Sequence, residues 1–367
     1  MQHVKLGYRV CKMFGKTPGG IAYRNFFLQL PLTDKELIMK ILLTGGTGFI
    51  GSHTCVALLE AGHEVIIVDN LSNSKKSVVS RIEEITGKSV RFIEADVTDK
   101  SAVQSIITKH KPEGLIHFAA LKAVAESIEK PLKYYHNNVT GTIVLTELCI
   151  ENQISKFVYS SSATVYEGNK PPFHEGMEIK SSNNPYGQTK IICERILTDV
   201  AKANSEFSVS LLRYFNPVGG HPSGLIGEDP NGTPNNIVPL ICKVAKREKE
   251  YLSVFGDDYP TPDGSCIRDY VHVMDVAKGH VLAIESLKSG VNAYNIGTGQ
   301  GASVLELIRS FERANEIIVQ FEVEKRRPGD AAVSYASITK SKNELGYYPE
   351  YDLDCMVKDA WKYIVKS

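Results

Sequence analysis

The stretch from Lys40 to Asp69 limits what this chain can fold into more than any other. The apolar run KILLT (Lys40 to Thr44) is followed at once by GGTGFIG, then by SHTCVALLEAG, then by EVIIV (Glu64 to Val68) and Asp69. Short apolar runs of this kind fit buried parallel strands, and the segment between them has a helical pattern. Gly45, Gly48 and Gly51 stand in GxxGxxG spacing. Lacking a Cβ, such a loop turns tightly and lets the backbone approach a pyrophosphate, whose charge then sits at the positive end of the next helix. Asp69 closes the second strand, 18 residues beyond Gly51. A carboxylate there accepts hydrogen bonds from an adenosine ribose and repels a 2′-phosphate, which favours NAD over NADP. A lone glycine pattern is matched by many plain turns; two flanking strands and the acid make this one specific.

Further strand candidates recur with helical spacers. VRFIEADV (Val90 to Val97), GLIHFAA (Gly114 to Ala120), KFVYSSS (Lys156 to Ser162) and SVSLLRYF (Ser208 to Phe215) read as buried strands. Helices are expected from Lys100 to His110, Pro131 to Asn152 and Pro185 to Asn204. Such alternation predicts an α/β fold, a Rossmann-type doubly wound parallel sheet whose ligand crevice lies at the strand C-terminal ends. After Phe215 the texture changes. Residues Asn216 to Pro239 are dense in Gly, Pro and Asn, and predict an ordered, irregular segment leading to a smaller C-terminal α/β lobe. A helix is expected near Val238 to Arg247. The division is then 39–215 for the NAD-binding domain and 216–367 mainly for the substrate lobe. The first 38 residues hold six basic and two acidic residues and no sustained period. An upstream start codon, a disordered extension and a targeting sequence compete as readings; the first is favoured, and the segment is left out of the fold.

Composition narrows the function. The 42 basic and 42 acidic side chains cancel, which argues against a broad footprint for nucleic acid or anionic membrane. No apolar run approaches the ~20 residues of a membrane span. Seven dispersed cysteines without a CxxC pair read as reduced thiols in a cytoplasmic protein, and ten histidines without HxxxH or ligand clustering give no support to a metal.

Within NNPYGQTKIICERIL, Tyr186 and Lys190 lie four residues apart, which puts phenol and ammonium on one helical face. Most such pairs are ordinary surface neighbours. A phenol beside a fixed cation in a dry pocket is a potential base, however; bringing tyrosine from about 10 to ~7 takes about 4 kcal/mol of selective phenolate stabilisation. Ser160, Ser161 and Ser162 end one strand, and serines there are commonly turn formers. The Tyr186 helix follows by a loop, so both can face one crevice. Arg326 and Arg327, in EKRRPGD, read either as a solvated pair or as a fork for a diphosphate.

From Met39 to about Trp361 the chain resembles the UDP-galactose 4-epimerases of the extended short-chain dehydrogenase/reductase superfamily. The similarity rests on LLTGGTGFIGSH, HFAALKAVAESIEKPLKYYHNNVTGT, SSSATVY, NPYGQTK, LRYFNPVGGHPSGLIGEDPNGTPNNIVP and RDYVHVMDVAKGH. It implies C4 inversion of UDP-galactose and UDP-glucose, in galactose metabolism, through a 4-keto sugar with tightly bound NAD. Tyr186 is then the base at the sugar 4-hydroxyl, Lys190 the holder of the nicotinamide ribose, and Ser162 the partner of the 4-oxygen. Around the cofactor the resemblance places Gly45, Gly48, Phe49 and Ile50 of the glycine loop, and Asp69, Asn70, Asn73 and Ser74 after the second strand. It adds Asp96 and Val97, then Phe118, Ala119 and Lys122, and lastly Asn138 and Phe215. Asn216, Asn236, Arg268, Arg327 and Asp330 are implied for the uridine diphosphate, and a homodimer is implied through helices that include the Tyr186 helix.

Neighbouring chemistries fit less well. Related 4,6-dehydratases carry an Asp-Glu pair where this chain has Ala163 and Thr164, and related decarboxylases place a glutamate in that stretch. Another NAD-dependent nucleotide-sugar epimerase, or a non-catalytic NAD-binding sensor, is the alternative; sensors commonly lose the tyrosine or lysine kept here. Ala120, Ala125 and Glu167 stand where relatives commonly have glycine. Ser334, four beyond Asp330, stands where a tyrosine looks to occupy the site in members restricted to the unacetylated sugars. The small serine implies room for an N-acetyl group, hence UDP-GlcNAc and UDP-GalNAc as further substrates.

Overall fold

The computed structural model describes residues 38–367 apart from 233, 235 and 328. The expectations for the first 38 residues fall almost wholly outside the described residues. In chain order the first part comprises β1 (Lys40–Thr44), α1 (Phe49–Glu60), β2 (Glu64–Asp69), α2 (Ser77–Thr86), β3 (Arg91–Glu94), α3 (Lys100–His110) and β4 (Gly114–His117). Then come α4 (Val124–Glu129), α5 (Pro131–Tyr134), a π-helical turn (Tyr135–Thr140), α6 (Gly141–Glu151), β5 (Lys156–Ser160), a 3-10 turn (Ala163–Tyr166), α7 (Pro185–Ala203) and β6 (Ser208–Tyr214). The remainder holds β7 (Asn216–Val218), α8 (Ile237–Ala245), β8 (Leu252–Phe255), β9 (Ile267–Arg268), β10 (Tyr270–His272), α9 (Val273–Glu285) and β11 (Val291–Ile296). It closes with β12 (Ala302–Ser303), α10 (Val304–Asn315), β13 (Phe321–Glu324), β14 (Val333–Ser334), α11 (Thr339–Leu345) and α12 (Leu353–Lys366).

Seven strands form one parallel sheet in the order β11-β6-β5-β4-β1-β2-β3. Strand order reverses between β1 and β4, the topological switch at which doubly wound sheets open their ligand crevice. The period of two along β1 divides its side chains between two layers. Ile41 and Leu43 pack with Cys55, Val56 and Leu59 of α1 and Val276 and Ile284 of α9. Leu42 enters the opposite layer, with Val103 of α3, Leu145 and Leu148 of α6, and Cys193 and Leu197 of α7. Each fully buried aliphatic side chain of this kind contributes about 1.5–3 kcal/mol. A separate core built on Val238, Ile241, Leu252, Leu307, Phe311 and Met356 supports the smaller lobe.

The structure departs from the sequence reading in three places. Strands β3, β4 and β5 stop before the expected ends, so that Ser161 and Ser162 leave the sheet; Ser162 caps the 3-10 turn, accepting a hydrogen bond from the Thr164 amide at 3.2 Å. The helix expected from Pro131 to Asn152 is interrupted by the π turn. Within this turn lies Asn138, whose buried amide is bonded to the Leu121 backbone and to Thr189 on α7. Finally, the division after residue 215 does not follow the sheet. Strand β11 pairs with β6 along Val291 to Ile296, and α9 packs on α1, so later residues complete the first layer.

The turn from β1 into α1 is set by glycine. Gly45 has φ +70°, and a Cβ on Gly51 would lie 2.2 Å from the Gly45 carbonyl oxygen. Gly51→Ala is therefore expected to cost about 1–3 kcal/mol by overpacking, read as a lowered Tm in thermal unfolding; an unchanged Tm would refute this close approach.

Candidate active site

Because the sheet is parallel, its strands deliver their following loops to one edge. At that edge β1 releases the glycine loop, β2 ends in Asp69 and releases Asn70 to Ser74, β4 releases Phe118 to Lys122, and β5 releases Ser161 and Ser162. Helix α1 begins at Phe49 behind Gly48, with no side-chain cap and no acid in its first turn. Its first amides therefore remain available to an anion. Gly45 lies against the next strand's exit: a Cβ there would be 2.7 Å from the Ala119 amide nitrogen. Asp69 is buried and accepts from the Thr47 amide at 3.1 Å, the Leu71 amide at 2.9 Å and the Ser74 hydroxyl at 3.1 Å. Ser74 meets Thr47 at 2.7 Å, which locks the two loops together.

The other residues implied for the cofactor fall into distinct situations. Asn70 donates to Asp96 at 2.8 Å. Burial opposes ionisation of Asp96, yet hydrogen bonds from Thr98 and Asn70 outweigh it and hold this carboxyl below its usual range. Val97 packs in the core layer beside α3 and α6, Phe49 sets its ring edge-on to His53, and Ile50 packs against the first layer. Phe118 tilts against His280 at 4.5 Å between centroids, and buried Phe215 stacks on Phe173. Asn138 has both amide atoms engaged by protein, which makes it a tie between the Leu121 loop and α7.

Tyr186 and Lys190 are both buried on α7, whose start is fixed by Asn184 accepting the Gly187 amide at 2.8 Å. Burial raises the Tyr186 phenol above its ordinary value, the neighbouring Tyr214 adds to this, and the Ser162 hydroxyl opposes it as a hydrogen-bond partner of the phenolate. The Lys190 ammonium donates to the Ser160 carbonyl at 2.6 Å and sits 4.8 Å from the centre of the Tyr159 ring. Burial lowers Lys190 to about 8, against the partial support of Cys193 and Glu194. Burial thus favours the neutral phenol of Tyr186, and the Lys190 ammonium ties α7 to the exit of β5.

Toward the smaller lobe, Arg268 on β9 donates to Asp330 at 2.8 Å and to the Ala331 carbonyl at 2.8 Å. Arg327 lies 3.4 Å from the same Asp330 and over the Phe255 ring. Ser334 on β14 is in register with Arg268, and Asn216 opens β7 beside Tyr270. Asn236 donates to Glu228 at 2.5 Å, and Lys122 reaches the same oxygen at 3.1 Å. One carboxylate therefore gathers a residue implied for the cofactor and one implied for the diphosphate. The adjoining segment crosses the loop after β2: Asp229 pairs with Lys75 at 2.5 Å, and Asn231 bonds to Asn73 and to the Ser72 carbonyl. Among the described residues no group of three or more His, Cys, Asp or Glu side chains could hold a metal ion, and no helix is long and apolar enough to cross a membrane.

Sequence reasoning missed Glu228, Glu194, Arg213 and the work of Glu167. Glu194 was in principle visible, since Tyr186, Lys190 and Glu194 form an i, i+4, i+8 series, and Arg213 stands out as a charge inside an apolar strand. Glu228 carried no such signal, because its partners are distant in sequence. Glu167, singled out only as a departure from the usual glycine, accepts the Ser182 hydroxyl at 2.6 Å, the Asn183 amide at 2.9 Å and the Asn183 side-chain amide at 2.5 Å. It joins the turn after Ser162 to the loop before Tyr186.

These features define a nucleotide-binding α/β enzyme of the doubly wound class with a tyrosine–lysine helix. The chain matches the NAD dependent epimerase/dehydratase family over residues 41–297 and belongs to that family. Within it, the chain is 51% identical to the UDP-glucose 4-epimerase of Bacillus subtilis, over 89% of this chain and 96% of that protein. A crystal structure of the Stenotrophomonas maltophila UDP-glucose 4-epimerase, with bound NAD and formylated UDP-arabinopyranose, is similar at TM-score 0.87 and 45% identity, covering 89% of this chain and 98% of that one. The UDP-Glc/GlcNAc 4-epimerase of Campylobacter jejuni is similar at TM-score 0.79 and 34% identity, covering 90% and 100%.

Glu167→Ala is expected to leave the sheet intact while amide hydrogen exchange of residues 182–187 speeds up. Protection there equal to wild type would remove Glu167 from the anchoring of the α7 start.

Proposed function

We propose that this chain is a UDP-glucose 4-epimerase that interconverts UDP-galactose and UDP-glucose with NAD as resident cofactor. The observation that carries the reading is the meeting of three groups at one sheet edge: buried Tyr186 and Lys190 on α7, Ser162 beyond β5, and an uncapped α1 with Asp69 beside it. The glycine loop fits a dinucleotide, because at Gly45 a side chain would strike the neighbouring backbone and the first amides of α1 have no internal cap. The α1 amides would hold the pyrophosphate, Asp69 the adenosine ribose, and Lys190 the nicotinamide ribose. When bound, NAD supplies a hydride acceptor that later becomes the donor.

The chain's own residues manage the proton and the sugar. Tyr186 Oη takes the proton of the 4-hydroxyl, and Ser162 Oγ holds the 4-oxygen while a 4-keto sugar exists. Burial makes phenolate costly, so the base needs positive charge close by; Lys190 supplies it from one helical turn away. Arg268, Arg327 and Asp330, with Asn216 and Asn236, anchor the uridine diphosphate, which leaves the hexose free to turn and take hydride on its other face. Tyr186 then returns the proton, and the net change is inversion at C4.

Ser334 supports a wider substrate range. It lies in register with Arg268, beside the proposed diphosphate anchor, and its small side chain leaves room for a 2-acetamido group. A homodimer is favoured by exposed Val124, Ile128 and Leu132 on α4 and α5, two helices that pack against α7. Free thiols among the described cysteines accord with a cytoplasmic setting.

Denatured protein is expected to release about one NAD per chain, and native protein to convert UDP-galactose without added cofactor. Tyr186→Phe should keep its fold and NAD and lose ~10²–10⁴-fold in turnover; near-full activity would overturn the assignment of the base. Ser334→Tyr should lose turnover of UDP-GlcNAc selectively, and a wild type inactive on the acetylated pair would sink the wider range.

A further inference from the structure

Resting on the epimerase reading, we infer that the buried Glu194–Arg213 pair is a positioning device that sets Ser162 against Tyr186 by holding the exit of β5. Both side chains are only 5% exposed. Glu194 Oε1 accepts from Arg213 Nε at 2.9 Å and its Oε2 from Arg213 Nη2 at 2.6 Å, a forked contact. The same Oε1 accepts the Ser161 hydroxyl at 2.5 Å. Arg213 extends the network by donating to the Tyr166 hydroxyl at 3.0 Å, which in turn donates to Asn295 at 2.7 Å.

A buried ion pair is a poor device for stability alone. Desolvation of both charges is costly, and well-packed apolar replacements are often neutral or stabilising. Its location explains more. Lys190 and Glu194 lie one turn apart on α7; Lys190 binds the Ser160 carbonyl and Glu194 binds the Ser161 hydroxyl. Two successive residues of the strand exit are thereby tied to two successive turns of the catalytic helix. The next residue is Ser162. Its extended backbone, φ −152° and ψ 148°, begins where those ties end. Arg213 lies on β6, the neighbouring strand, so the carboxylate is fixed from a third element.

The pair also bears on the ammonium. The groups facing Lys190 are Cys193 and Glu194 on its own helix, the Tyr159 ring on β5, and His117 on β4. Burial keeps His117 neutral, at about 3, and raises the Cys193 thiol. Glu194 is left as the carboxylate that helps keep Lys190 charged.

The test compares NAD-loaded wild type, Ser161→Ala, Ser161→Thr and the double variant Glu194→Gln/Arg213→Met, which removes both charges and leaves neither unpaired. Single charge removals risk misfolding; the double variant and Ser161→Ala keep the question open to refutation. NAD content, circular dichroism and Tm are measured with kcat and KM for UDP-galactose across pH. Expected for the double variant is full NAD content and native structure, kcat lower by about 10–100-fold, KM within about threefold, and an alkaline limb of kcat moved to lower pH. Ser161→Ala should lower kcat about tenfold without moving that limb, and Ser161→Thr should restore it. A double variant with wild-type kcat and an unmoved limb overturns the positioning role. Absence of UDP-galactose turnover in wild type overturns instead the epimerase reading beneath it.

Discussion

A charged hydrogen bond, from the Lys190 ammonium to the Ser160 carbonyl, ties α7 to the end of β5. An ammonium inside protein must find acceptors or lose its proton. Lys190 finds one in the last carbonyl of β5, at the position where the ladder to β4 has ended. The strand thus supplies the acceptor, and the helix supplies the charge. Everything at the site is referred to that junction: Ser162 lies two residues beyond the acceptor, and Tyr186 lies one turn before the donor.

Burial at the same place raises the Tyr186 phenol. Packing that excludes water is the largest cause, Tyr214 adds to it, and the Ser162 hydroxyl opposes it. On the opposite flank, Glu228 and Asp229 draw Lys122, Asn236 and Lys75 toward one segment, so the loop from the smaller lobe lies across the β2 exit. The Lys75–Asp229 pair is exposed, and such pairs are individually weak, about 0–1 kcal/mol each, whereas the Glu228 side chain is only 9% exposed.

Much of this was legible beforehand, and the reasons are local. β1, α3 and α8 ended within two residues of expectation because their signals lie inside them: an apolar run before glycines, Asp99 capping Ala102, and an apolar period. That Tyr186 and Lys190 share one helical face follows from their spacing, and the place of Asp69 at the end of β2 from the apolar run before it. What escaped was set by partners far along the chain. Within the π turn Asn138 bonds to Leu121 and Thr189, and no window around residue 138 records Thr189. β5 was read two residues too long because SSS looks like a strand exit while only Thr164 reveals a cap. Glu167 was noticed as an anomaly, but its three hydrogen bonds to residues 182 and 183 depend on how the intervening loop folds back.

The return of the chain through α9 to β11 has an evolutionary consequence. Residues that follow the substrate segment complete the sheet and cover α1, so the cofactor half has no contiguous gene segment of its own. A cut after residue 215 would leave β6 as an open edge and bare the apolar surface of α1. Recombination cannot graft this cofactor half onto a new substrate module as a cassette. Changes of specificity in such a frame come by replacing side chains in place, while the interwoven scaffold is inherited whole.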